Sequence, residues 1–311
     1  MSAASAESAV PAVPGLANLI VLARGGHATV YRATQVSAYR EVAVKVENRT
    51  LDSDRDQQRF VREARAAGRM SSHPHVVDLY DVGVTVDGHP YMIMELCKGS
   101  FADQMKVSPL GSAETRSVGA KIADALASAH AQGLVHRDVK PGNILLTQFD
   151  EPVLADFGLA VLAESRETSM TLDLTPAYAA PEMFDGRRSA PASDVYALCA
   201  TLYALMRGRP ARWRENSSPS LATMMEMFAE RVPDLPSVPA WLTALLRQGM
   251  SNEPAHRPTA ARLRDELLGG QHDPDPTMVM RQVSPGHRPD APSGAGSGRG
   301  DEPTQPTVHV R

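Results

Sequence analysis

Hydrophobic and polar positions follow one rhythm before about residue 97 and another after it. In Glu41–Val46, Val42, Val44 and Val46 alternate with Ala43 and Lys45. That is the period-two pattern of a strand. Strands are predicted at Leu19–Ala23, Thr29–Ala33, Glu41–Val46, Val76–Val84 and Pro90–Leu96, the last two joined by a hairpin turn at Asp87-Gly88. One helix interrupts them, capped by Asp52 or Asp54 and running to about Met70. Beyond Cys97, Val118, Ile122, Leu126 and Ala129 recur at helical spacing, and Gly133 suits the position just past that helix. Ser193 is placed to N-cap an apolar helix beginning near Asp194. Further helices are predicted at Leu221–Glu230, Ala240–Met250 and Ala260–Leu268.

Strands first and helices afterwards predict an α+β fold in two lobes. A β-rich lobe with one helix takes residues 17–97, and a mainly helical lobe takes 98–268. Residues 1–16 are rich in Ala, Ser and Pro and are expected to be disordered. So is the tail at 269–311: from 271 on it holds seven Pro and five Gly and shows no apolar periodicity. Such a composition cannot bury enough surface to offset the entropy of ordering.

Composition narrows the setting. The net charge of −4 gives no reason to expect nucleic acid or an anionic membrane as partner. The longest strongly apolar stretch, Val195–Met206, is 12 residues, short of the ~20 needed to span a bilayer, and reads as a buried helix. The N-terminus has no Lys or Arg before Arg24, unlike the basic start of a signal peptide. Cys97 and Cys199 are too few for a disulfide framework, so a reduced, cytoplasmic compartment is expected.

The candidate chemistry sits at His136-Arg137-Asp138-Val139-Lys140-Pro141-Gly142-Asn143, followed thirteen residues later by Asp156-Phe157-Gly158. This orders an aspartate, a lysine, an asparagine and a second aspartate. Together they can hold a hydroxyl, a γ-phosphate and magnesium, and phosphoryl transfer needs little more than such positioning and charge neutralisation. Singly, each residue has a plainer reading as a turn or cap; the combination does not.

These motifs resemble the catalytic and metal-binding loops of Hanks-type protein kinases, in particular the bacterial serine/threonine branch, and the resemblance covers residues 17–268. It implies a two-lobed kinase fold, ATP and Mg2+, and protein substrates. It implies Asp138 as catalytic base, Lys140 at the γ-phosphate, and Asn143 and Asp156 as magnesium ligands. Lys45, in Val42-Ala43-Val44-Lys45, would bind the α/β-phosphates and pair with Glu63 on the following helix, the switch-like contact of the family. Leu22, Val30, Ala43 and Leu145 would line the adenine pocket, with Met94 as gatekeeper and Glu95 and Cys97 supplying hinge backbone bonds. Leu174-Thr175-Pro176 through Ala180-Pro181-Glu182 is similar to the peptide-docking segment: Thr175 would contact the catalytic loop and Glu182 would pair with Arg257. Asp194 would anchor the catalytic loop from a central helix. Thr168, Ser169 and Thr171 are the expected activation-loop phosphosites, modified by a second copy of the chain and read by Arg137. Thr277, Thr304 and Thr307 in the tail are candidate sites for a phosphothreonine-reading partner.

The glycine loop departs from the family's GxGxxGxV. In Ala23-Arg24-Gly25-Gly26-His27-Ala28-Thr29-Val30 only the middle glycine, Gly25, is kept, with Gly26 beside it. Alanine at the outer positions is expected to hinder backbone approach to the phosphates and to lower nucleotide affinity. Two rival readings follow. A small-molecule phosphotransferase would lack the Thr175–Glu182 segment, which is present. A non-catalytic pseudokinase is suggested by Ala23 and Ala28 but opposed by intact Lys45, Asp138, Asn143 and Asp156. Lys140 and the Thr-Pro-Ala-Tyr sequence are similar to serine/threonine rather than tyrosine kinases.

Overall fold

A computed structural model of the chain describes residues 10–51, 53–157, 176–184, 189–212 and 220–269. The expected phosphosites Thr168, Ser169 and Thr171, the docking residue Thr175, and the tail threonines lie outside them.

Five antiparallel strands build the first lobe: β1 (Leu16–Arg24), β2 (Ala28–Gln35), β3 (Arg40–Glu47), β4 (Leu79–Val84) and β5 (Pro90–Glu95). Their order in the sheet is β1-β2-β3-β5-β4. The alternation read from the sequence has its physical counterpart on β3. Val42, Val44 and Val46 pack with Tyr31, Ala33, Tyr91 and Ile93, while Lys45 and Glu47 share the other side of the strand. The turn at Asp87-Gly88 takes Gly88 into a positive φ of 84°, with Gly88 N–H donating to Thr85 O.

Helix α1 (Asp54–Ala67) lies against the sheet through Phe60 and Ala64, which meet Val82 and Met92. Its cap is Ser53, whose hydroxyl accepts from the Asp56 amide at 3.1 Å, and not Asp54, which already sits inside the first turn; Asp52 is outside the described residues. The helix stops before Met70 and continues as a 3₁₀ turn over Gly68–Ser72, which carries Met70 into the core of the second lobe. The strand expected from Val76 begins only at Leu79. Val77 instead donates its amide to Leu154 O, tying the two lobes at this point.

The second lobe opens with β6 (Gly99–Ser100), α2 (Phe101–Val107) and α3 (Ser112–Ala131). Gly133 follows α3 at φ 74°. Then β7 (Ile144–Leu146) and β8 (Pro152–Leu154) pair with β6 in a small sheet of order β6-β7-β8. The apolar stretch forms α4 (Pro191–Arg207), buried from Ser193 to Leu205. It begins three residues before Asp194, because Pro191 is favoured at a first helical position. Ser193 therefore stands inside the first turn, where its hydroxyl accepts from the Ala190 amide at 3.2 Å. Helices α5 (Leu221–Ala229), α6 (Ala240–Gly249) and α7 (Ala260–Gly269) complete the lobe. Gly119 of α3 lets α4 and α7 close in: a Cβ there would stand 2.6 Å from Leu202 Cδ1 and 3.0 Å from Leu267 Cδ1. Among the described residues no helix is long and apolar enough to cross a membrane.

Candidate active site

The segment from His136 to Asn143 leaves α3 and returns as β7, and its shape is imposed from α4. Asp194 is completely buried, and its carboxylate accepts from the His136 amide at 2.8 Å, the Arg137 amide at 2.7 Å and His130 Nε2 at 2.8 Å. Arg137 sits at a positive φ of 74°, unfavourable for a bulky residue, and these bonds hold it there. His136 is fully buried. Its Nε2 reaches Ala155 O at 2.8 Å and its Nδ1 accepts from the Asp138 amide at 3.3 Å, which selects the Nε2–H tautomer. The Phe157 ring stands edge-on to His136 at 4.7 Å. One buried carboxylate and one imidazole thus lock together the two motifs singled out in the sequence.

Asp138 is partly exposed, and its carboxylate is held from two sides. Lys140 Nζ lies 2.7 Å from Oδ2, and Asn143 Nδ2 donates to the same oxygen at 2.9 Å and to the Asp138 carbonyl at 2.7 Å. Because the amide nitrogen of Asn143 is committed to Asp138, its carboxamide oxygen is turned away from that residue. Asp156, at a φ of 65°, pairs with Lys45 Nζ at 2.9 Å. Burial alone would push the Asp156 carboxyl up, but the charge of Lys45 outweighs it and holds the carboxyl below its usual range. Burial likewise works against the Lys45 ammonium, and Asp156 and Glu47 overcome it, so Lys45 is raised and stays charged. Glu47, two residues along β3, is close enough to help hold that charge, and burial raises its own carboxyl.

Glu63 does not pair with Lys45 in this arrangement of α1. Its Oε1 accepts from Arg59 Nε at 2.7 Å, one turn back on α1, and its Oε2 is buried without a hydrogen bond. Arg59 and Glu63 stand at i and i+4, the spacing at which helix neighbours meet, so the pair forms locally without any movement of α1. Arg59 was missed in the sequence, although that spacing could have flagged it.

The residues assigned to the adenine pocket fall in three places. Met94, Cys97 and Leu145 pack together with Val77 and Val153. Ala43 is buried and opposite Met94, and Val30 is opposite Lys45. Leu22 is half exposed on β1. The Glu95 amide donates to Asp78 O at 2.9 Å, fixing the end of β5 before the crossover to the second lobe. Burial pushes the Cys97 thiol up to about 12.

The glycine turn runs between β1 and β2 and is closed by the Gly25 amide donating to Ala28 O at 2.8 Å. No residue from 23 to 28 has a positive φ. Ala23 and Ala28 belong to the paired strands, so their methyl groups cost no backbone strain there. The obstruction expected from these alanines does not arise from the backbone angles. Gly25 is the tighter of the two glycine positions: a Cβ would press against Ala28 O at 3.3 Å, whereas one at Gly26 would meet nothing within 4 Å.

Away from the cleft, Glu182 and Arg257 form a fork, with Nη1 to Oε1 at 2.6 Å and Nη2 to Oε2 at 2.8 Å, and Arg257 Nη1 also donates to Ala192 O. Ser193 Oγ donates to Glu182 at 2.8 Å. This clamp joins the turn at Pro181–Met183 to α4 and to the loop before α7.

The donor set suits magnesium. That cation takes one or two carboxylates and completes its shell with phosphates and water. Asp156 supplies the carboxylate and Asn143 a turned-out carboxamide oxygen, and no cage of three or more acidic, His or Cys ligands stands among the described residues.

Comparison with known proteins agrees with this geometry. Residues 17–267 match the family model described as protein kinase domain. The chain is 40% identical over 316 residues to serine/threonine-protein kinase PknK of Mycobacterium tuberculosis (strain ATCC 25618 / H37Rv), an alignment covering 96% of this chain and 28% of that protein. It is 34% identical over 242 residues to PknE of Mycobacterium bovis, covering 76% of this chain and 42% of PknE. The chain therefore spans well under half the length of these relatives. The crystal structure of the M. tuberculosis PknI kinase domain aligns with a TM-score of 0.64 at 27% identity, over 82% of this chain and 95% of that one. The chain belongs to the Hanks-type protein kinase family.

Proposed function

We propose that the chain is a serine/threonine protein kinase that moves the γ-phosphoryl group of ATP onto protein hydroxyls. The observation that carries this is the Asp138 carboxylate, partly exposed and oriented by Lys140 and Asn143 on a loop hung from buried Asp194. Asp138 would accept the proton of the substrate hydroxyl as its oxygen bonds to phosphorus and the bond to ADP breaks. Lys140 would neutralise charge on the transferred group, and Lys45 would orient the α/β-phosphates. Asn143 and Asp156 would hold magnesium, which supplies charge neutralisation at the phosphates when bound. Val30, Ala43, Met94 and Leu145 would receive adenine, with the Glu95 and Cys97 backbone at its polar edge.

In that reading the Lys45–Asp156 and Arg59–Glu63 pairs are a resting arrangement. Productive transfer would exchange them for Lys45–Glu63 and free Asp156 for the metal. Phosphorylation in trans at Thr168, Ser169 or Thr171 would order the activation loop through Arg137. Phosphate on Thr277, Thr304 or Thr307 would offer a phosphothreonine-reading partner an arginine-pairing handle. Two cysteines left as thiols fit a reducing, cytoplasmic setting.

The test is phosphosite mapping after incubating purified protein with Mg-ATP and a mixed protein substrate such as casein. Phosphate on serine and threonine of the chain or of casein is expected. Transfer only to small molecules, or none, would overturn the proposal.

A further inference from the structure

We propose that Asn48 is a positioning residue for the nucleotide, holding the glycine turn in its phosphate-receiving form. Asn48 follows the last residue of β3 and is exposed. Its Nδ2 donates to two successive carbonyls, Gly25 O at 3.1 Å and Gly26 O at 3.0 Å. Its Oδ1 accepts from Thr29 Oγ1 at 3.3 Å, and its amide donates to His27 O at 2.7 Å. One side chain thus grips the turn at both ends.

The consequence follows from peptide geometry. A trans peptide points its C=O and N–H in opposite directions. Capturing the carbonyls of Gly25 and Gly26 turns the amides of Gly26 and His27 away from Asn48. Asn48 has the strand parity of Val44 and Val46, whose side chains are buried on the face opposite Lys45. Amides turned away from Asn48 are therefore directed to the side of Lys45. Successive amides aimed at one point form an anion-binding concavity. This bears on the alanines at 23 and 28. A turn short of glycine cannot rely on free backbone rotation to find the triphosphate, and here the clamp presets it. The inference rests on the reading of Lys45 as a phosphate ligand.

The experiment measures ATP affinity and steady-state transfer for the intact chain, Asn48→Ala and Asn48→Asp, at varied Mg-ATP and fixed protein substrate. Asn48→Asp keeps the acceptor for Thr29 but loses both donor bonds to the turn. Because Asn48 is exposed, neither variant is expected to change the melting temperature appreciably. Loss of two hydrogen bonds predicts a KM for ATP raised about ten-fold in both variants, with kcat within about two-fold and KM for the protein substrate unchanged. Unchanged ATP affinity in Asn48→Ala, or equal losses in kcat and in both KM values, would overturn the clamp while leaving the kinase reading intact. Failure of the unaltered chain to bind ATP would overturn both.

Discussion

Replacing Arg257 with methionine removes the charge at the centre of the clamp while retaining most of the side chain's apolar volume. The guanidinium is buried and makes two bonds to Glu182, one to Ala192 O and one to Ser251 O. Without it, the Glu182 carboxylate keeps only the Ser193 hydroxyl and its own backbone amide as hydrogen-bonding partners in a largely dry site. Breaking a buried pair from one side costs about 3–5 kcal/mol. For a domain of this size each kcal/mol moves the midpoint by about 2–4 °C, so a fall of roughly 6–20 °C is expected. Differential scanning calorimetry at pH 7 reads it. The pH dependence supplies a second check. Burial alone would raise the Glu182 carboxyl, but hydrogen bonds from Arg257 outweigh that and hold it below its usual range. A depressed carboxyl contributes stability that is fully present above the unfolded pKa of ~4.3 and is lost as pH falls through the folded value. The gap between the unaltered chain and Arg257→Met should therefore narrow below about pH 4. Adding Glu182→Gln to Arg257→Met should recover part of the loss, because no unpaired charge remains. A shift under about 2 °C at pH 7, or a gap that widens in acid, would refute the reasoning.

Arg59→Ala releases Glu63 from its partner one turn away and should raise basal transfer to casein about two-fold, the weight of an i,i+4 pair; unchanged or lower activity would count against the resting arrangement. Replacing Thr168, Ser169 and Thr171 together with alanine should leave little activity on an exogenous substrate, and full activity in that variant would remove the proposed phosphate switch.

Much of this was legible in the chain because the catalytic groups are close in sequence. Asp138, Lys140 and Asn143 meet within one loop, so residue types and spacing carried their proximity. The strands were legible where one face is buried, as on β3; pairing, invisible in the sequence, extends β1, β2 and β3 by one to three residues at their ends, while β4 and β5 are shorter than expected. Two misplacements concern helix starts. Ser53 caps α1, and Pro191 sets the start of α4 ahead of Asp194; both are local choices among neighbouring polar residues or a proline. The absence of the Lys45–Glu63 pair in this arrangement has a different cause. Spacing shows which residues can meet, and the outcome depends on competition between Arg59, Asp156 and the position of α1. Asn48 carries no sequence signal at all, because its role depends on the β2–β3 pairing that brings residue 48 to residues 25 and 26.

The account turns on Asp138 as the acceptor of the substrate proton. The direct measurement compares the unaltered chain with Asp138→Asn in transfer of labelled γ-phosphate from Mg-ATP to casein, with ATP affinity measured alongside. Asparagine keeps the size of the side chain, so nucleotide binding and the melting temperature should hold. Transfer should fall by about 100-fold or more, because the hydroxyl loses its acceptor. Transfer at the unaltered rate in Asp138→Asn, with ATP bound equally, would contradict the account.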